Sequence, residues 1–424
     1  MPPHEQKKKL PFLKRVASVL GPGLITGAAD DDPSGVATYS LAGAQLGTTL
    51  VWTALLTWPL MAAVQMMCAR IGMVTGYGLA RALRAKFSVF IVALFALLLL
   101  GANTINIGAD LSGMADAAEM LTGVDSRIYV IVFGVGIGVA TIRLRYAQIA
   151  NTLKWLALFL FAYAFTAFSV HPNWLAVLRD LFTPSVSHSR MAWSTLVAIL
   201  GTTISPYLFF WQASQEVEEE KHIGRLTTME RRGVSDQEIS DRKLDIGVGT
   251  LISNVVMFFI IVTTALTLHR HGITDIQTSR QAAEALRPLA GPGCFLLYTV
   301  GIIGVGLLAI PTLAGSAAYA LAETFGWAQG LDEKMGKARA FYAVVLLSIA
   351  VGCLIDFTHI NPVSAMYWSA VINGLLAPFL LVGILTVASD PYVMFNQPSS
   401  LLNRVVVGVT TAAMFAAGIA MFVL

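Results

Sequence analysis

Residues 16–39 read VASVLGPGLITGAADDDPSGVATY, and this stretch decides the fold. The mostly apolar run 16–29 is shorter than the roughly 20 residues that a membrane-spanning helix needs. Three aspartates and Pro33-Ser34-Gly35 interrupt it, and apolar character resumes at Val36. Proline lacks an amide donor and disfavours helix in the residue before it. The stretch therefore predicts a single span that is broken at mid-depth, at the aspartates.

The composition of the whole chain indicates a membrane protein. Of 424 residues, 56% are hydrophobic and 12% are charged, whereas soluble domains carry about 25% charged residues. The formal charge of +3 is too small to indicate a nucleic-acid partner. The apolar runs do not alternate with polar residues as barrel strands do, so helices are predicted. Eleven windows qualify as spans: 16–39, 48–70, 90–122, 127–142, 152–170, 191–215, 246–268, 294–325, 339–356, 362–388 and 402–423.

Basic residues sort by side of the membrane. They occur in the N-terminal tail and after the second, fourth and sixth spans, for example Lys7–Lys9, Arg81, Arg143 and Arg232. Because cytoplasmic loops carry the excess of Lys and Arg, we expect the N-terminus in the cytoplasm. A few arginines also fall in the other loops, so the asymmetry is incomplete. The prediction is a multi-pass protein of the plasma (inner) membrane.

The sixth predicted span repeats the interruption of the first. Trp193–Ile204 is apolar, Ser205-Pro206-Tyr207 follows, and Leu208–Trp211 continues beyond it. Paired breaks in two halves of a chain are typical of transporters with inverted repeats. We therefore predict an all-α membrane protein of about 11 transmembrane helices, with two inverted five-helix repeats and broken helices 1 and 6. The predicted divisions are a cytoplasmic tail, two repeats and an additional eleventh helix: 1–15, 16–170, 191–388 and 402–423.

One family shares these sequence features. Residues 21–47, GPGLITGAADDDPSGVATYSLAGAQLG, resemble the first helix of the Nramp divalent-metal transporters, which carries GPG, DPGN, AT and AGAQ in that order. Further matches follow collinearly over nearly the whole chain: ARIGMVTGYGLARALR (69–84), Ala109-Asp110-Leu111, GTTISP (201–206), Asp245 with Asn254, and NGLLAPF (373–379). The resemblance implies the fold of many amino-acid transporters, with a metal ion held between the broken helices.

The resemblance also implies where the metal ligands lie. Asp32 matches the aspartate ligand of the family, and Ala29 and Thr202 would supply carbonyl oxygens. Gly35 stands at the position of the family's asparagine, and Ser205 at the position of its methionine. These departures are similar to the Nramp-related magnesium transporter branch. Six further residues are expected to surround these ligands or to line the ion pathway: Asp30, Asp31, Asn106, Asp110, Tyr207 and Gln212.

The ligand chemistry favours a hard ion independently of the resemblance. Thioether sulfur suits transition metals, whereas carboxylate, carbonyl and water oxygens suit Mg²⁺, Ca²⁺ and Mn²⁺. Mg²⁺ usually keeps several waters and uses one or two carboxylates. We therefore predict secondary transport of partly hydrated Mg²⁺, with Mn²⁺ as a second candidate ion. Family members carry two histidines on the sixth helix, where this chain has Tyr207 and Gln212, and a glutamate on the third helix, where it has Gly113. Transport without proton coupling is therefore expected.

Alternatives stay open at this point. One is a proton-coupled Mn²⁺/Fe²⁺ carrier of the usual Nramp type, and another is an amino-acid carrier, although three aspartates would repel a substrate carboxylate. A membrane receptor without transport is a third. No phosphate-binding loop indicates ATP and no catalytic constellation indicates an enzyme, and no cofactor is expected because the metal is cargo. The acidic run of Glu216, Glu218, Glu219 and Glu220 could form a cytoplasmic vestibule that collects cations, but a solvated helix end is the preferred interpretation.

Overall fold

The computed structural model describes residues 21–144, 156–358 and 360–424. The predicted tail 1–15, the first five residues of the predicted first span and the start of the fifth lie outside these ranges. The described chain is helical, with short 3₁₀ turns at Leu156–Phe161, His269–His271 and Gly291–Gly293. Its α-helices are α1 Pro22–Asp30, α2 Pro33–Leu46, α3 Trp52–Thr75, α4 Leu79–Leu83, α5 Val89–Thr122, α6 Ser126–Arg143, α7 Ala162–Ser169, α8 Trp174–Phe182, α9 Arg190–Thr203, α10 Pro206–His222, α11 Asp236–Thr267, α12 Ser279–Glu284, α13 Arg287–Ala290, α14 Cys294–Phe325, α15 Arg339–Asp356, α16 Pro362–Ser389 and α17 Leu401–Val423.

The helices confirm the predicted all-α class with broken helices 1 and 6. Within the described ranges, nine helical stretches are long and apolar enough to cross a membrane. The first span is divided between α1 and α2, and the fifth is represented by a shorter apolar stretch that ends in α7. Large apolar side chains on the outer surface are exposed, as expected for residues that face lipid. The bounds of the two repeats stay a prediction.

The seventh span begins ten residues earlier than its predicted window, at Asp236 rather than residue 246. The reason is local: the Ser235 side chain accepts a hydrogen bond from the Glu238 amide while the Glu238 carboxylate accepts from the Ser235 amide. This reciprocal cap satisfies two amides that a helix start leaves free. Asp245 therefore lies well inside α11 rather than just before its start.

The broken spans sit at the centre of the bundle. α1 and α2 both pack on α11, while α9 packs on α16. The α9–α16 contact is glycine on backbone: a Cβ at Gly201 would lie 2.1 Å from the Ala370 carbonyl oxygen, and one at Gly374 would lie 2.3 Å from the Val197 carbonyl oxygen. Such small-residue contacts let membrane helices approach closely. α2, α5, α9 and α16 thereby surround the break in the first span.

Loops group at two ends of the bundle. One end is formed by the connecting segments 76–88 (which includes α4), 223–235 and 390–400, and we call it the basic face. Lys86 pairs with Asp390 and the Gln397 side chain bonds to Val234 across it. At the opposite face the Thr48 hydroxyl donates to Asp180, and the Asn361 amide donates to the Gln277 carbonyl. The chain therefore alternates between two ends of the bundle, as the predicted spans require, and the loops at each end contact one another.

Candidate metal site

The break in the first span is formed by two residues, Asp31 and Asp32. α1 ends at Asp30, Asp31 has φ −82° and ψ 47°, and Asp32 is extended. Pro33 starts α2 at its first position, where its missing amide hydrogen is not needed. The Asp32 Oδ1 atom accepts a hydrogen bond of 2.6 Å from the Gly35 amide. Asp32 is therefore both the N-cap of α2 and a carboxylate at the break.

The break in the sixth span faces the first one. α9 ends at Thr203, Ile204 and Ser205 are not helical, and Pro206 begins α10. The Tyr207 hydroxyl donates to the Ala29 carbonyl at 2.9 Å, which joins the two breaks directly. A Cβ on Gly35 would lie 3.0 Å from the Thr202 hydroxyl and 3.3 Å from Asp32 Oδ1. The glycine thus allows the two spans to meet at the carboxylate.

An oxygen-rich network surrounds Asp32 on the α5 and α16 side. Asn106 Nδ2 donates to Asp32 Oδ2 at 3.0 Å, and the Ser369 hydroxyl donates to Asn106 Oδ1 at 2.7 Å. Asp110 Oδ1 accepts from the Ser34 amide at 3.1 Å and from the Ser34 hydroxyl at 2.7 Å. Asp32 is 2% exposed, so the break is shielded from bulk water. Asn106 therefore holds the carboxylate of Asp32 in place from the neighbouring helix.

The other two aspartates lie on the α11 side of the break. The Ser253 hydroxyl is 2.7 Å from Asp30 Oδ2 and 3.1 Å from Asp31 Oδ1, and all three side chains are buried. A hydroxyl carries one hydrogen, so it satisfies one carboxylate at a time. Asp30 Oδ1 has no hydrogen-bond partner among the residues that the structure describes. Asp31 is therefore a buried residue of the break and not a solvated side chain.

The structure brings most of the sequence-predicted residues together and separates one. Ala29, Asp32, Gly35 and Thr202 meet through the contacts described above. The Ser205 hydroxyl is buried at the break of the sixth span and has no hydrogen-bond partner within the described ranges. Gln212 instead lies nearer the basic face.

Three serines complete this region and were missed by the sequence interpretation: Ser34, Ser253 and Ser369. Ser253 precedes Asn254, which the family pattern singles out, yet Asn254 Oδ1 accepts from Thr57 on α3. Because Ser253 and Asn254 are consecutive residues of α11, their side chains point in different directions around the helix axis. Serine is common in membrane helices, so no sequence signal distinguished these three from structural ones.

The donor atoms near the break are oxygens, with two methionines close by. Among the described residues, no group of three or more His, Cys, Asp or Glu side chains converges as a metal cage does. A Cβ on Gly306 would clash with the Met114 sulfur and would lie 3.2 Å from Pro33 Cγ, so Met114 is near the start of α2. A Cβ on Gly113 would likewise clash with the Met366 sulfur. Carbonyl, hydroxyl and water oxygens would therefore have to accompany Asp32 around a hard cation.

A buried ion cluster joins the start of α1 to α10 and α11. Asp245 accepts the amides of Gly21 and Gly23, each at 2.8 Å. Arg242 Nη1 donates to Asp245 at 2.7 Å, and its Nε lies 2.8 Å from Glu216 Oε1. Glu216 is 2% exposed. The interpretation of the acidic run as a solvated helix end was wrong for this residue, because Arg242 neutralises it inside the bundle.

Gln212 belongs to this cluster rather than to the break. Its Nε2 donates to Glu216 Oε1 at 2.7 Å, and its Oε1 accepts from the Thr26 hydroxyl at 2.9 Å. The residue therefore links α10 to α1 below the break, between the site and the basic face.

The family model of natural resistance-associated macrophage protein-like (Nramp) sequences matches residues 23–424, which includes both breaks. The chain belongs to the Nramp family. This Nramp protein is 25% identical over 423 residues to the divalent metal cation transporter MntH of Caldanaerobacter subterraneus subsp. tengcongensis, covering 95% of this chain and 91% of that one. It is also 25% identical to MntH of Yersinia pestis over 313 residues, covering 72% and 73% of the two chains.

Solved structures share the fold of this Nramp protein. The manganese transporter of Eremococcus coleocola, in complex with an aromatic bis-isothiourea compound, superposes with a TM-score of 0.78 at 17% identity, covering 98% of this chain and 88% of that one. Mhp1, a nucleobase-cation-symport-1 family transporter in a closed conformation, gives 0.58 at 16% identity, covering 95% and 90%. This Nramp protein therefore has the fold that these two solved structures share.

Proposed function

We propose that this Nramp protein carries Mg²⁺, and to a lesser degree Mn²⁺, across the plasma membrane as a partly hydrated ion bound at Asp32. Family membership supports the coarser part, transport of divalent metal cations. The observation that carries the finer part is that the donor atoms proposed around Asp32 are oxygens, with Ser205 in place of the family's methionine. Carboxylate, carbonyl and hydroxyl oxygens suit hard cations, and Mg²⁺ retains water readily.

The proposed ligands are the Asp32 carboxylate, the carbonyl oxygens of Ala29 and Thr202, and the Ser205 hydroxyl. Gly35 contributes space, since a larger residue there would meet Thr202. The Ala29 carbonyl has two lone pairs and can accept from Tyr207 while it faces an ion. Water would fill the remaining positions around the metal.

The proposed orientation places the basic face in the cytoplasm, in keeping with the excess of Lys and Arg in its loops. The cluster of Arg242, Glu216 and Asp245 then lies between the break and the cytoplasm. The proposed transport is driven by the metal gradient and is not coupled to protons.

A proton-coupled carrier is the second candidate, and one observation favours it. Asp30 and Asp31 share the single hydrogen of Ser253. If one of the two carboxyl groups carried a proton, it could donate to the Ser253 oxygen while the hydroxyl donates to the other. Such a proton would also remove the repulsion between two carboxylates at close range. Acidification of the vesicle lumen in step with metal entry would support this second candidate over the first.

The test is Mg²⁺ flux into proteoliposomes with the lumenal pH followed in parallel. Asp32→Asn keeps a side-chain acceptor for the Gly35 amide, so the α2 cap survives while the charge is lost. We expect the flux to fall by roughly tenfold or more, because substituting even a residue that only holds a metal ligand lowers metal affinity or activity by about 10–100-fold. Asp275→Ala, in an exposed loop of the opposite face, is the matched control. Wild-type flux in a correctly folded Asp32→Asn protein would overturn the proposal.

A further inference from the structure

A cleft on the basic face lies between the loop 76–88 and the loop 390–400. Its volume is about 490 Å³, and its lining includes Tyr77, Arg81, Arg84, Tyr392 and Phe395. This volume is in the range of small-ligand sites in proteins. The cleft is separate from the metal site, since none of the residues at the two breaks lines it.

The cleft carries positive charge that no acid neutralises within the described part of the chain. The Arg81 guanidinium lies 3.9 Å from the centre of the Tyr77 ring, and that of Arg232 lies 4.6 Å from the centre of the Phe395 ring. Arg84 donates to the Thr324 carbonyl at 2.9 Å. None of these three arginines forms an ion pair with a described carboxylate.

Neighbouring basic residues on the same face differ in this respect. Lys86 pairs with Asp390, and Arg225 pairs with Glu220 and Glu238. Acids are therefore present on this face, and the unpaired arginines at the cleft do not follow from a general shortage of them.

The pKa of Tyr77 indicates a positive electrostatic potential in the cleft. Burial alone would raise the pKa of Tyr77, but hydrogen bonding to Arg232 and the charge of Arg81 bring it below the ordinary value. A phenol is easier to ionise where the surroundings favour negative charge. The same surroundings would favour a bound anion.

The cleft opens where the lipid-facing surface begins. α5 starts at Val89, and Phe90 is 82% exposed; α17 starts at Leu401, which is 69% exposed. Tyr392, at the edge of the cleft, is 91% exposed. A ligand with one end in the cleft could therefore keep an apolar end against the outer surface of the bundle.

We propose that this cleft binds a phosphate-bearing anion. Arg81 of the lining and Arg232, which lies beside the cleft against Phe395, would contact the phosphate oxygens, and the rings of Tyr77, Tyr392 and Phe395 would lie against its apolar part. Guanidinium groups match phosphate geometry with paired hydrogen bonds. The source of the phosphate is either the headgroup of an anionic phospholipid or a water-soluble compound. Basic pockets at the ends of membrane helices are suited to the former.

The cleft is connected to the broken sixth span. Glu323 on α14 accepts the amides of Ala80 and Arg81 at 3.0 Å and 3.3 Å, and the Ser214 hydroxyl on α10 lies 3.4 Å from the same carboxylate. A ligand that orders α4 therefore acts on α14 and α10 through one carboxylate. An effect on flux rests on the proposed transport function, whereas binding does not.

The experiment measures binding to the purified full chain in a neutral detergent. Isothermal titration uses three ligands: dioctanoyl phosphatidylglycerol, dioctanoyl phosphatidylcholine and adenosine diphosphate. The variants are Arg81→Gln and the double variant Arg81→Gln/Arg232→Gln. The control is Arg143→Gln, an exposed arginine at the end of α6 that does not line the cleft. Tyr392→Ala removes an exposed wall of the cleft. The substitution breaks no side-chain hydrogen bond between Tyr392 and a described residue.

We expect one saturable site for phosphatidylglycerol or for adenosine diphosphate, with phosphatidylcholine at least tenfold weaker. Arg81→Gln should weaken binding about tenfold, or about 1.4 kcal/mol, and the control should bind as the wild type does. Saturable phosphatidylglycerol binding identifies a lipid headgroup, and saturable adenosine diphosphate binding identifies a soluble phosphate. Equal affinity for phosphatidylcholine, absence of saturable binding, or unchanged affinity in both the double variant and Tyr392→Ala would overturn the proposal. Because no flux is measured, failure here is independent of the metal site.

Discussion

Replacing Arg242 with methionine is predicted to loosen the docking of α1 on α11. The guanidinium contacts Glu216, Glu219 and Asp245, and Asp245 in turn accepts the first amides of α1. Arg242 is 9% exposed. Removing the cation leaves neighbouring carboxylates inside the bundle with no positive partner, and undocking of α1 would admit water to them.

The magnitude follows from the burial of the pair. Removing one partner of a buried ion pair costs about 3–5 kcal/mol, which at about 1.4 kcal/mol per tenfold corresponds to a factor of about 10² to 4 × 10³ between docked and undocked α1. This factor is an upper bound because the Glu219 side chain is already 44% exposed. The glycine contacts remain in the variant, since a Cβ on Gly27 would lie 2.4 Å from the Gly249 carbonyl oxygen.

The assay is the modification rate of a cysteine placed in α1. Thr26 is fully buried beside Gln212, so Thr26→Cys reports undocking. The three native cysteines are first replaced by alanine: Cys68, Cys294 and Cys353. We expect a membrane-impermeant maleimide, added from the side of the basic face, to react faster in Arg242→Met than in the parent by up to about 10²-fold. Arg242→Lys, which keeps the charge but not the forked geometry, should be intermediate.

The control is Arg339→Met, an exposed arginine at the start of α15. It should change neither the rate nor the midpoint of thermal unfolding. If Arg242→Met lowered the thermal midpoint while the modification rate stayed at the parent value, the cluster would stabilise the fold without holding α1. That result would refute the reasoning.

Two further predictions concern the donor set and the basic face. Ser205→Met should make Cd²⁺ a stronger competitor of Mg²⁺ flux, by about tenfold, because a thioether favours soft ions; Met114→Leu should leave Cd²⁺ competition unchanged, and relief of competition there would assign a sulfur ligand to Met114. Lys86 holds the pKa of Asp390 below its usual value, so their contact stabilises the fold above about pH 4 and is lost as the pH falls through the lower folded-state pKa. Asp390→Asn should therefore lose less thermal stability than the wild type between about pH 5 and pH 3, and equal losses would contradict a role for this pair.

The sequence supplied the parts of the site that are local along the chain. The short run before Asp30, the proline after Asp32 and the second proline at Pro206 are sufficient to predict both breaks. Helix length and the missing amide of proline act over a few residues, so a one-dimensional pattern carries them. The structure confirms these breaks, with α1 ending at Asp30 and α9 at Thr203.

The helix bounds were less predictable where polar residues continue a helix beyond the membrane. Hydropathy marks the apolar part of α11 but not its first turns, which depend on the cap formed by Ser235 and Glu238. Likewise Glu216 has the composition of a solvated helix end. Its burial depends on Arg242, 26 positions further along the chain, and no local pattern links the two.

What the sequence by itself determined is that the chain crosses a membrane many times, that two spans are interrupted, and that a carboxylate stands at the first interruption. Only the tertiary structure decided which side chains meet that carboxylate. Asn106 reaches Asp32 from 74 residues away and Ser369 reaches Asn106 from 263. Ser253 rather than Asn254 faces the other two aspartates. The physical reason is that a rotation of one residue about a helix axis redirects a side chain, and the packing of neighbouring helices alone sets that rotation.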